Sequence, residues 1–207
     1  MSRISIIGAT GMVGQDIARE AVKRGHEVIG TNRSGDVTDP IAGVTYRALE
    51  INDTEAIMKL AEESDVLVFS VPGGRETGDY APVIKAHAAL IVAQPEARIF
   101  IIGGAGGLQM SDGTLLVDAG VIPEEYGAEP RSFVEILNNY RESEEQLDWV
   151  MLAPSPEIYP GEQTDSYVLA DDEPAGEKVS TGTFAAAALD EMEKPTYLRT
   201  RFTVADA

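Results

Sequence analysis

Short apolar runs alternate along this chain with segments whose apolar residues return every three or four positions. Ile4-Ser5-Ile6-Ile7 reads as a buried strand ending at Gly8. Behind it Val13, Ile17, Ala18, Ala21 and Val22 mark one face of a helix that Gly25 stops, since glycine adopts the left-handed cap at little cost. A second strand is predicted over 26–30, a loop rich in Gly, Asp and Pro over 33–43, and a third strand over 44–49. Asp53 is placed to cap a helix carrying Ile57, Leu60 and Ala61 on one side. The continuous apolar runs at 65–71 and 99–102 suit strands buried on both faces, with helices predicted over 80–93 and 133–146 and a further strand over 148–152.

Strands alternating with helices of about three turns imply right-handed βαβ units and a parallel sheet covered on both faces. The expected architecture is a Rossmann-type, doubly wound α/β fold. The last fifty residues break the rhythm. Pro154, Pro156, Pro160 and Gly161 make an irregular stretch, followed by a strand at 167–170, a helix at 184–192 and a strand at 201–204. This part is expected to form a small C-terminal cap. Neither an internal repeat nor a linker divides the chain, so 1–207 is expected to be one NAD(P)-binding domain.

Composition narrows the chemistry. With no cysteine in 207 residues, disulfides, thiolate catalysis and cysteine-bound zinc are excluded. Two widely separated histidines, His26 and His87, do not suggest a metal site; both are expected to be structural. No apolar run approaches the roughly 20 residues that span a bilayer, and Met1-Ser2-Arg3 leads directly into a strand pattern, so neither a membrane span nor a cleaved segment is expected and the cytoplasm is the expected compartment. The 35 Asp and Glu outnumber the 16 Lys and Arg, for a net charge of −19. A field of that sign repels phosphate backbones and anionic membranes, and the dispersed acids suit a solvated acidic coat. A high-salt source and an ordinary acidic cytosolic protein would both give such a surface.

The sharpest motif is Gly8-Ala9-Thr10-Gly11-Met12-Val13-Gly14, set where a strand feeds a helix. Its first glycine permits a tight turn, the second lets backbone N–H groups approach a pyrophosphate, and the third allows helix to pack closely on sheet. The helix N-terminus adds partial positive charge. Versions that prefer NAD usually carry an acid at the end of the second strand for the ribose 2′-OH. Here that strand ends in Thr31-Asn32-Arg33, and an arginine can fork onto a 2′-phosphate. NADPH is therefore expected over NADH.

Together with this motif, Arg24-Gly25-His26-Glu27-Val28, Asp65-Val66-Leu67-Val68, the segment 148–156, Ser180-Thr181-Gly182-Thr183-Phe184-Ala185 and the segment 201–205 resemble the atypical short-chain dehydrogenase/reductase superfamily. Within it they are similar to the NAD(P)H-binding proteins called NADH-flavin reductases, relatives of biliverdin reductase B. The resemblance covers essentially the whole chain. It implies that Gly8, Thr10, Gly11, Met12, Val13 and Gly14 surround the pyrophosphate, Asn32 and Arg33 the adenosine 2′-phosphate, and Glu50 and Ile51 the adenine. It further implies Ser70, Val71 and Pro72 beneath the ribose, with Gly103, Gly104 and the Pro154-Ser155-Pro156 run beside the nicotinamide. Ala105, Tyr126, Ser155 and Tyr159 are the candidates for the acceptor pocket.

One expected feature is missing. Most catalytic short-chain dehydrogenases place Tyr-x-x-x-Lys on the helix before the sixth strand, with a serine after the fifth. Tyr140 is followed at i+4 by Glu144, Tyr80 has Lys85 at i+5, and the loop after the fifth strand is Gly103-Gly104-Ala105-Gly106-Gly107. No catalytic side chain is assigned. Hydride transfer to a flavin, quinone or similar planar acceptor survives this loss, because orientation and a dry site do most of the work. The glycine loop either leaves a flat opening over the nicotinamide or serves a tight turn. A redox sensor that binds NADP(H) without turnover, and an epimerase or isomerase on the same scaffold, remain alternatives.

Overall fold

The computed structural model describes residues 1–120, 122, 124 and 127–207. The apolar runs become β1 (Arg3–Ile7), β2 (Glu27–Asn32), β3 (Val44–Ala48), β4 (Val66–Phe69), β5 (Arg98–Ile102) and β6 (Trp149–Pro154). The amphipathic segments become α1 (Met12–Lys23), α2 (Thr54–Glu62), α3 (Ala81–Ala93), α4 (Ala128–Arg141) and α5 (Thr181–Glu193). Four further strands complete the set: β7 (Glu157–Tyr159), β8 (Tyr167–Ala170), β9 (Lys178–Ser180) and β10 (Thr200–Asp206). The main sheet runs β3-β2-β1-β4-β5-β6-β10-β8. All its pairings are parallel except β8 on β10. The order reverses between β1 and β4, the switch point outside which ligands bind in open α/β sheets.

Two cores clothe the sheet. On one face Ile4, Ile6, Val68, Phe100, Leu152 and Phe202 meet Ile17, Ala18 and Ala21 of α1 and Phe184, Ala188 and Leu189 of α5. On the other Ile7, Leu67, Phe69, Ile101 and Met151 meet Ile57 of α2, Val83 and Leu90 of α3, and Ile136 and Leu137 of α4. The central strands are buried on both sides, which is why they read as unbroken apolar runs rather than alternating ones.

The C-terminal part departs from the expected cap. β10 lies beside β6, with Thr200 opposite Val150 and Val204 opposite Pro154, and β8 adds the antiparallel edge. These strands widen the sheet; only the two-stranded β7–β9 ribbon stands apart from it. Burial explains the choice, since Phe202, Thr203 and Val204 lose all solvent contact. α4 also starts and stops five residues earlier than the expected 133–146. The Arg199 guanidinium donates to the carbonyls of Ser143, Glu144 and Leu147, at 2.7, 2.6 and 3.0 Å, and holds that stretch off the helix. At the same end of the sheet, buried Arg98 pairs with buried Glu191 at 2.8 Å and ties β5 to α5. Among the described residues no helix is long and apolar enough to cross a membrane.

Candidate nucleotide-binding cleft

The three motif glycines have three different jobs. Gly8 has φ +88°, and a Cβ there would lie 2.5 Å from the Ser70 carbonyl oxygen, so only glycine lets the turn leave β1 pressed against the end of β4. Gly14 sits within the first turn of α1, where a Cβ would lie 2.2 Å from the Gly8 carbonyl oxygen. Gly11 needs no unusual φ. It is the N-cap of α1 and provides no side chain to satisfy the helix's first N–H groups.

Of the other four helices, α2 and α5 carry an N-cap side chain and α3 and α4 do not. Asp53 caps α2 by accepting from the Ala56 amide, Asp79 accepts from the Ala81 amide at the start of α3, and Ser180 caps α5 through the Thr183 amide. α4 also lacks a side-chain cap, but it carries an acid, Glu129, in its first turn. α1 has neither a cap nor an acid in its first turn. Its leading donors, on Met12, Val13 and Gly14, open beside the exposed residues Thr10, Gly11 and Met12. Uncapped N–H groups plus the helix dipole make an anion site.

The flanking residues fall at carboxyl ends of strands. Asn32 and Arg33 close β2. The Asn32 side chain is committed to its own loop, accepting from the Gly35 amide at 2.6 Å and donating to the Asp36 carbonyl at 2.8 Å. Arg33 is three-quarters exposed and lies 3.6 Å from Glu76. Glu50 and Ile51 follow β3, the neighbour of β2. Ser70, whose amide donates to the Ile7 carbonyl at 2.9 Å, Val71 and Pro72 follow β4. Gly103, Gly104 and Ala105 follow β5, and Pro154 ends β6. The structure thus gathers these candidate residues along one rim.

The acceptor candidates are less uniform. Ser155 is fully buried with its hydroxyl on the Val204 carbonyl at 2.8 Å, and Tyr159 donates to Asp206 at 2.7 Å, which raises the phenol's pKa. Ala105 opens a short 3₁₀ turn, Ala105–Gly107; Tyr126 lies outside the described residues. The missing side chains of the glycine-rich loop face protein. A Cβ on Gly103 would meet the Met151 sulfur at 2.8 Å, on Gly104 the Phe133 ring at 2.9 Å, and on Gly106 Pro130 at 2.3 Å. These glycines therefore bring α4 and β6 close to the loop, and none of them has a positive φ.

Tyr140 stands apart from the rim. It is fully buried between His87 and Trp149, its hydroxyl 3.1 Å from His87 Nδ1, and burial pushes its pKa up. His87, also buried, has its pKa pushed down to about 3. His26 is structural in another way, accepting from the Ser2 amide and approaching Glu193. Sequence reasoning missed the loop Gly73-Gly74-Arg75-Glu76, where Arg75 donates twice to Glu129 at 2.7 and 2.6 Å. Its signal was available: charges interleaved with glycines directly after a strand's carboxyl end.

A doubly wound sheet with a glycine turn and an open helix N-terminus at its switch point defines a nucleotide-binding Rossmann protein. The chain belongs to the NAD(P)H-binding family, whose model matches residues 8–195. It is 30% identical over 213 residues to the uncharacterized protein YwnB of Bacillus subtilis strain 168, covering 98% of this chain and 97% of that protein. A provisionally named epimerase from Bacteroides thetaiotaomicron superposes with a TM-score of 0.85 at 26% identity, covering 98% and 96% of the two chains. A provisionally named NADH-flavin reductase from Streptococcus pneumoniae gives 0.87 at 24% identity over the full length of both, a likeness of fold.

Proposed function

We propose that this chain is an NADPH-dependent oxidoreductase that reduces a flavin, a quinone or a similar planar acceptor without a tyrosine–lysine pair. The observation that carries the reading is the uncapped N-terminus of α1 beneath the Gly8 turn, with an exposed Arg33 one strand away. The N–H groups of Met12, Val13 and Gly14 would hold the pyrophosphate, and Arg33 rather than Asn32 would meet the 2′-phosphate. Ser70 to Pro72, Gly103, Gly104 and Pro154 would form the wall along which the ribose and nicotinamide lie. When bound, NADPH supplies a hydride from its nicotinamide C4, and a proton from water completes the acceptor's reduction.

The tyrosines support a mechanism directed by binding. Tyr140, Tyr159, Tyr167 and Tyr197 all have raised pKa values, the opposite of the shift a proton-donating phenol needs near neutral pH. The epimerase reading gains nothing from them. NADPH oxidation should be measured with a naphthoquinone, with riboflavin and with no acceptor. Acceptor-dependent oxidation is expected; tight NADPH binding with no oxidation by any acceptor would leave a sensor instead.

A further inference from the structure

The acceptor side of the cleft is built from the loops after β4, β5 and β6 and from the start of α4. Their exposed charges are predominantly acidic. Asp79 follows β4, and Glu157, Glu162 and Asp165 follow β6, all of them exposed, while the 103–107 loop carries no charge; Glu76, also after β4, lies 3.6 Å from Arg33 and belongs with it. Three cations stand against them among the described residues. Arg75 is occupied by both oxygens of Glu129, and Arg131 by Asp118 at 2.7 Å. Lys178 is left, 5.7 Å above the Tyr159 ring and opposite Glu157 in the β7–β9 ribbon. Arg33 belongs to the adenosine end.

We propose that the acceptor is an uncharged ring system, of the riboflavin or simple quinone class, and that this rim discriminates against rings carrying phosphate or carboxylate tails. The inference rests on the reductase reading above and adds the charge of the substrate to it. An anionic tail would need a free cation, and Lys178 already has the Tyr159 ring beneath it and Glu157 opposite. The fork at hand, Arg75, could turn to it only by leaving Glu129, whose carboxylate is mostly withdrawn from solvent, without a partner. A net charge of −19 adds a repulsive field of the same sign.

Riboflavin and FMN share one ring and differ by a phosphate, so they isolate the charge. Two quantities should be measured for each at low and high sodium chloride: kcat/KM with NADPH, and calorimetric affinity for the NADP⁺-loaded protein. Riboflavin is expected to lead by about three- to tenfold at low salt, and the gap to close as the reach of charge shrinks from about 30 Å at 0.01 M to about 3 Å at 1 M. Glu129→Gln frees Arg75 and is expected to bring FMN up while leaving riboflavin in place. FMN equal to or better than riboflavin at low salt, or a gap indifferent to salt, overturns the proposal. The two readings fail separately. Turnover without charge preference removes this one and keeps the reductase, whereas riboflavin-selective binding with no oxidation of NADPH removes the reductase and keeps the selective rim.

Discussion

Among the described residues Arg33 is held by little: its one ion pair, to Glu76, is long and joins two exposed side chains, an arrangement worth about 0.2–1 kcal/mol at most. Its guanidinium is thus free to turn to a phosphate. A charge-assisted hydrogen bond contributes about 1.5–3 kcal/mol, so Arg33→Ala is expected to weaken NADPH roughly tenfold or more while scarcely changing NADH. Equal losses for the two cofactors would place the 2′-phosphate elsewhere. Gly11 gives a second test in the same pocket. A Cβ there meets only the Gly8 carbonyl oxygen, at 3.3 Å, so Gly11→Val should fold, as circular dichroism would show, yet lose most cofactor affinity because its branches stand where phosphate must reach the backbone. Retained affinity in the folded variant would clear α1 of the role. Much of this pocket was legible in the sequence, because glycine spacing reports backbone geometry directly. The Arg75–Glu129 clasp was not, since it joins segments that only the folded chain brings together.

At the scale of elements, α3 and α4 meet through His87 and Tyr140, two polar groups buried among Phe69 and Trp149. Tyr140→Phe is expected to leave acceptor reduction unchanged, whereas loss of a true general acid would slow it about 10²–10⁴-fold. The same substitution should lower stability by about 1 kcal/mol in urea unfolding, the size of one hydrogen bond. The pair also sets a pH dependence. His87 is neutral in the fold down to about pH 3, but once unfolded it takes a proton below its ordinary pKa of about 6.5. The unfolded state therefore binds more protons between those values, and this contribution to stability is present above pH 6.5 and fades as pH falls. Comparison of the protein with His87→Gln should show the variant losing less stability between pH 7 and pH 4.5; parallel losses would assign the acid sensitivity to other groups. Helix α3 was legible because its thirteen residues, apolar on nearly every side, run too long for a buried strand. The end of α4 was not, for it is fixed by Arg199, nearly sixty residues on, and a window of sequence holds no trace of such a contact. The same holds for β10, whose partner β6 lies fifty residues earlier.

For the molecule as a whole, the excess of acid is a cost that dissolved ions can relieve. Ion pairs such as Arg24 with Glu20, Asp190 and Glu193 knit α1 to α5, but 35 acids cannot be neutralised by 16 bases. Screening the remaining repulsion should stabilise the fold, so the melting temperature is expected to rise between about 0.02 and 0.5 M sodium chloride. A fall would show that the ion pairs outweigh the repulsion. The doubly wound plan was readable from alternating periods alone, while the width of the sheet was not, because the irregular, proline-rich stretch before β8 hides how far the chain returns. Trp149, the single tryptophan, opens β6 and so lies at the end of the sheet opposite the cleft, fully buried with its indole N–H unpaired. Its native fluorescence should be blue-shifted and should move to the red only when the sheet itself comes apart. Nucleotide entering the cleft touches no part of the indole and would dim it only by energy transfer across the sheet, so one intrinsic dye reports unfolding by its colour and cofactor binding by its brightness.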